Sequence, residues 1–91
     1  MFKLPAELTI AQVEECKSQF IGYIEEHDEI AFDDSDVIRV DTVGIQLLLS
    51  TVTYIVAQNK VLTWENQSSI LSQSIKLLGI NEPVLNQYLN I

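Results

Sequence analysis

Between Ile10 and Ile24 apolar residues recur at three- and four-residue steps. Ile10, Val13, Cys16, Phe20, Ile21 and Ile24 share one face, and Glu14, Glu15, Lys17, Gln19, Glu25 and Glu26 lie opposite. That period is helical, so an amphipathic helix is expected from about Ile10 to near His27, opened by a Thr9–Gln12 capping box. Gly22 costs such a helix about 1 kcal/mol against alanine; close packing against a neighbour is the expected reason for it. The pattern then shortens. Glu29-Ile30-Ala31-Phe32-Asp33 has the length of a strand, an acidic turn comes next, and Val37-Ile38-Arg39-Val40 reads as a second extended piece.

From Thr42 to Asn59 the chain is apolar nearly all round. Ile45, Leu48, Leu49, Val52, Ile55 and Val56 lie on one side, with Leu47 and Tyr54 elsewhere. Thr51, Val52, Thr53, Ile55 and Val56 are β-branched and favour a strand. Length decides for a helix, because this run is too long for one strand of a small domain. Lys60–Glu65 alternates weakly and reads as a strand bounded by Asn59 and Asn66. Ser68 or Ser69 caps a further helix through Leu78, and Gly79 is placed to end it in the left-handed conformation, with Ile80 packing back on Ile75. Asn81-Glu82-Pro83 starts a last helical turn or two over Val84–Leu89. At the other end, Phe2-Lys3-Leu4 and Glu7-Leu8-Thr9 are short extended pieces parted by Pro5. Strands alternating with helices predict an α/β fold: a small, mostly parallel sheet of four to five strands, packed with about four helices.

Composition narrows the picture. The 91 residues make one domain, 1–91, large enough to bury roughly 60–65% of its unfolded surface without a disulfide. The hydrophobic share is 47% and the charged share 20%, as in ordinary globular proteins. A single cysteine, Cys16, forms no internal disulfide and points to a reducing compartment. The N-terminus lacks the apolar stretch of a signal peptide, and no apolar run is long enough to span a bilayer. The expectation is a cytoplasmic protein without direct membrane insertion. A net charge of −8 disfavours nucleic acid, whose binding runs on phosphate neutralisation, and equally disfavours an anionic membrane surface. A basic protein surface suits this charge as a partner; solubility alone explains it as well.

The candidate chemistry sits at Asp41-Thr42-Val43-Gly44, where a strand meets the most apolar helix. Its simplest reading is a helix cap by Thr42 or Asp41, worth about 1 kcal/mol, with the Asp41 charge suiting the helix dipole. Gly44 serves either close approach by a partner or helix–sheet packing within the domain. Leu47 and Tyr54 are either a partner-facing patch or boundary positions. His27 has no companions at metal spacing. Cys16 falls on the apolar stripe and Trp64 on a strand, both readable as packing. Asp33, Asp34 and Asp36 read as a solvated turn ahead of a cation site. No nucleophile–base pair, phosphate-cradling glycine loop or convergent acid pair is present, so neither an enzyme nor a cofactor is expected.

Leu4-Pro5-Ala6-Glu7-Leu8-Thr9-Ile10, then Asp33-x-Ser35-x-Val37-x-Arg39-Val40-Asp41-Thr42-x-Gly44 with the apolar helix after it, together resemble a STAS domain. That is the fold shared by anti-sigma-factor antagonists and sulfate-transporter tails. Lys60–Asn66 and the helix ending Leu77-Leu78-Gly79-Ile80 extend the resemblance over nearly the whole chain. Asp34 departs from it, standing where that family usually carries an apolar strand residue. The resemblance implies a non-catalytic interaction module of bacterial signalling, phosphorylated at Thr42 by an anti-sigma-factor-type serine/threonine kinase. Asp41, Thr42, Gly44, Leu47 and Asp36 would then meet the kinase or another signalling protein. A second branch of the same family implies a cytoplasmic subunit of a phospholipid-transport ABC complex, touching the transporter ATPase through the Thr42 region. A small-ligand or nucleotide binder rests on family analogy alone. A phosphate on Thr42 suits a helix N-terminus and adds roughly −1.5 to −2 charge beside Asp41.

Overall fold

The computed structural model describes residues 1–65 and 67–89; Asn66, the expected boundary of the Lys60–Glu65 strand, lies outside the described residues. The chain runs β1 (Phe2–Lys3), β2 (Glu7–Leu8), α1 (Val13–Glu26), β3 (Glu29–Asp33), β4 (Arg39–Val40), α2 (Thr42–Ala57), β5 (Val61–Glu65), α3 (Ser69–Leu77) and α4 (Pro83–Leu89). It is an α/β fold with four helices, and every described strand pairing is parallel.

The strands do not form one sheet. They divide into a three-stranded sheet of order β1-β3-β5 and a two-stranded sheet of β2 and β4. The cause lies in the chain between them. β1 and β2 run beside β3 and β4, but Pro5 donates no N–H, and the Ala6 carbonyl accepts from both Ile38 and Arg39. The ladder breaks there and resumes with Glu7 opposite Arg39 and Leu8 opposite Val40. Of the expected strand 37–40, only Arg39–Val40 pairs.

α1 starts later than its sequence pattern. Gln12 precedes its first residue without a side-chain cap, and Thr9 instead accepts through its backbone carbonyl from Gln12 N–H at 2.9 Å. The capping box is therefore not formed, and Ile10 is left 68% exposed ahead of the helix. Cys16, Phe20 and Ile24 are buried as their spacing predicts, whereas Ile21 stands outside the core. A Cβ at Gly22 would meet nothing within 4 Å, so Gly22 serves no close packing. The far end of α1 has no basic residue in its last turn. Lys60, in the turn before β5, supplies the missing charge by donating to the Ile24 carbonyl and, at 2.8 Å, to that of His27.

α2 is the helix that length argued for. Its β-branched residues are accommodated partly by back-bonding to the preceding turn: Thr51 donates to Leu47 O at 2.7 Å and Thr53 to Leu49 O at 2.8 Å. Ile45, Leu48, Val52 and Ile55 are fully buried, while Val56 is exposed. Ser68 caps α3, accepting from Ile70 N–H at 3.3 Å. Gly79 follows its end at φ +69°, and Ile80 bonds back to Ile75 O at 3.2 Å, the Schellman-like closure expected of that pair. The core joins Phe20, Ile24, Ile30, Phe32, Leu48, Val52 and Ile55 to Leu71, Ile75, Leu85 and Leu89 from the last two helices. Trp64 meets Phe32 edge-on at 5.5 Å and stacks near Tyr88 at 6.2 Å, so its role is packing.

Candidate functional site

Two carboxyl groups terminate parallel strands, and each joins segments distant in sequence. Asp34, directly after β3, is wholly buried. One of its oxygens accepts the backbone N–H of Gln67 at 2.6 Å and of Ser68 at 2.9 Å. The other accepts the Trp64 indole N–H at 3.1 Å. The residue expected in a solvated turn is instead the knot that fastens the β5–α3 connection to β3. Burial of a polar group is tolerated only when its hydrogen bonds are made, and those of Asp34 are made entirely within the protein. Asp33 accepts from Ser35 N–H at 2.9 Å, which holds its carboxyl below the usual aspartate range. Asp36 faces Lys3 of β1 at 3.9 Å. These three carboxyls therefore turn to separate protein partners, and Asp36 is engaged with β1 rather than with the tetrapeptide.

Asp41, directly after β4, is the N-cap of α2. Its Oδ1 accepts from Gly44 N–H and its Oδ2 from Ile10 N–H, both at 2.9 Å. The first bond ends the helix backbone properly; the second ties the β2–α1 loop to it. Those two donors, Gly44 first, hold the Asp41 carboxyl below its ordinary range. Because Asp41 caps, Thr42 does not. Thr42 occupies the first helical turn, exposed, and its hydroxyl makes no hydrogen bond to another described residue.

Gly44 is buried, and a Cβ there would overlap the Leu8 carbonyl oxygen of β2. The structure thus gives Gly44 the packing role: its missing side chain lets α2 sit against β2 and offers no surface to a partner. Leu47 is half-buried and Tyr54 exposed. Together with Phe20, Ile21, Ile24 and Thr51 they line a groove of about 330 Å³ between α1 and α2, with Lys17 and Glu25 on its walls. None of the 16 residues of α2 is charged, so its outward positions Thr42, Val43, Gln46, Ser50, Thr53 and Tyr54 form an exposed face without a formal charge.

The other candidates take structural places. His27 Nδ1 lies 2.8 Å from the Tyr23 carbonyl, and the two rings stack at 4.3 Å. Cys16 is buried, and burial, with the Glu15 charge nearby, pushes its thiol up to about 11, so it stays a neutral thiol at physiological pH. Sequence spacing missed three things: the Ile10 tie to Asp41, the Asp34 knot, and the charge-free outward face of α2. Only the last was available in advance, by counting charges across 42–57. Among the described residues no group of acids, histidines or cysteines is arranged to hold a metal ion, and no helix is long and apolar enough to cross a membrane. No family model matches the chain, and no curated protein matches it.

Proposed function

We propose that this chain is a STAS domain whose sheet is interrupted at Pro5. In this reading it is a cytoplasmic, non-catalytic partner-binding module of bacterial signalling, switched by phosphorylation of Thr42. One observation carries the proposal. Thr42 presents a hydroxyl with no structural duty at the head of an exposed helix face, because Asp41 already performs the capping. The positive end of the helix dipole favours an anion there, so the helix tolerates a phosphate. It also places a dianion next to Asp41, converting a neutral contact face into a strongly acidic one. A partner packed on Val43, Gln46 and Leu47 would then be expelled by charge and bulk without unfolding of the domain.

Intact-mass measurement of the protein isolated from its host tests the switch. The expected result is a species heavier by one phosphate, absent from Thr42→Ala, with Thr42→Glu reproducing the loss of partner affinity. Failure to find any modified species across growth conditions overturns it.

The charge-free face of α2 favours one second reading, since permanent interfaces are depleted of charge at their centres. In it the chain is a constant subunit of a phospholipid-transport ABC complex, held to the ATPase through the Thr42 region. Recovery of an ABC ATPase with unmodified chain from native membranes would select this reading over the switch.

A further inference from the structure

The three-stranded sheet has two edges of different character. β1 is two residues long and carries Lys3, and short length and lysine are common ways of blunting an edge. β5 has neither protection. Its five residues pair one-to-one with the whole of β3, without a bulge, from Glu29↔Val61 to Asp33↔Glu65. It contains no proline and no charge before Glu65. In a sheet ladder the alternate N–H and C=O groups of an edge strand point away from its neighbour. Among the described residues, the only β5 backbone group with a partner outside the ladder is the Glu65 carbonyl, which accepts from Asp34 N–H.

The side chains suit a copy of themselves. Val61, Thr63 and Glu65 are exposed, while Leu62 and Trp64 are half-buried on the face toward the core. Laid antiparallel on itself with Thr63 at the centre, the strand sets Leu62 opposite Trp64 of the second copy twice over. On the other face Thr63 meets Thr63 and Val61 meets Glu65. Aliphatic–aromatic and Thr–Thr pairs are favourable cross-strand neighbours, and no like charges oppose each other. We infer that β5 is a self-association edge, to which a second copy of this chain adds antiparallel across a two-fold axis, joining the two three-stranded sheets into one.

The net charge of −8 on each copy opposes this contact, so added salt strengthens it by screening. Sedimentation velocity on the whole chain, from micromolar to millimolar, is expected to show a reversible monomer–dimer equilibrium shifting toward dimer as salt rises. Thr63→Asp and Thr63→Lys place like charges face to face on the axis, so each alone is expected to be monomeric with its thermal unfolding retained. Their equimolar mixture is expected to restore the dimer. Should either charged variant fold poorly, Thr63→Cys supplies an independent reading. Its two sulfurs come together because paired residues lie about 5 Å apart between Cα atoms, and oxidation yields a covalent dimer. Val61→Cys does not cross-link, since its symmetry mate lies about 14 Å away along the strand. Buried Cys16 contributes no background. A monomer at all concentrations overturns the inference, as does a dimer indifferent to both charges at Thr63, or cross-linking through Val61→Cys in preference to Thr63→Cys.

Discussion

Asp34 and Asp41 occupy equivalent places, each just past the end of a parallel strand, and each bridges two remote segments. Asp34 has no exposed surface, and its partners are two backbone N–H groups and an indole. Asp41 is half-buried, and its partners are two backbone N–H groups. The first corner is closed: its carboxyl oxygens are both committed, and nothing outside the fold reaches them. The second is finished structurally yet opens onto solvent through the next residue, Thr42. The difference lies in the course of the chain beyond each acid. After Asp34 the chain turns and is covered by the β5–α3 connection; after Asp41 it enters a helix whose outward face stays bare. A site for regulation needs the second arrangement, in which a group can be altered without disturbing what holds the fold.

Substitutions at the two corners should separate them. Asp34→Ala has the largest expected effect, because it strands three donors in a buried site. Each buried orphan costs about 1–3 kcal/mol, and a total of about 4 kcal/mol is expected in denaturant unfolding. A loss near 1 kcal/mol would mean the corner is wetter than its burial implies. Gly44→Ala comes next, since the added methyl meets backbone that cannot swing aside; about 3 kcal/mol is expected, read from the same unfolding midpoint.

Asp41→Ala removes a cap and a loop tie for about 2 kcal/mol. This corner also carries a pH signature. The Asp41 carboxyl is held below the usual value of 3.8 in the fold. Its contribution is therefore fully present above the unfolded value and is lost as pH falls through the lowered one. The acid limb of melting temperature against pH should be shallower in Asp41→Asn than in the wild type; identical limbs would disconnect the cap from acid stability. Thr42→Ala closes the series. With no hydrogen bond to another described residue to lose, it should change stability by less than about 0.5 kcal/mol and, under the proposed switch, abolish phosphate incorporation. A larger loss would give Thr42 a structural duty and weaken its contrast with Asp34.

Much of this architecture is legible in the residues. The period of α1, the length of α2, the strands at 29–33 and 61–65 and the Ser68 and Gly79 caps each depend on neighbours a few positions away, and local rules capture those. The failures share a cause. Asp34 reads as solvated because Gln67, Ser68 and the Trp64 indole, which bury it, lie some thirty residues on. The Thr9–Gln12 box is not formed because the Gln12 N–H goes to the Thr9 backbone carbonyl, in a loop whose Ile10 N–H is tied to remote Asp41. The single sheet becomes two because Ala6 O answers to Ile38 and Arg39, a distant pairing that Pro5 alone does not announce. At the candidate site, the sequence singles out the tetrapeptide but cannot divide its labour; only the geometry gives the cap to Asp41 and the packing to Gly44, leaving Thr42 idle.

Lys60 carries a consequence for the order of events as the chain folds. Its ammonium group reaches the Ile24 and His27 carbonyls, so the last turn of α1 is completed by a residue made only after α2. On a growing chain those carbonyls are left to water until α2 has formed and doubled back. Amide exchange at the end of α1 should therefore slow when β5 arrives, so that the first helix to emerge is completed by one of the later strands.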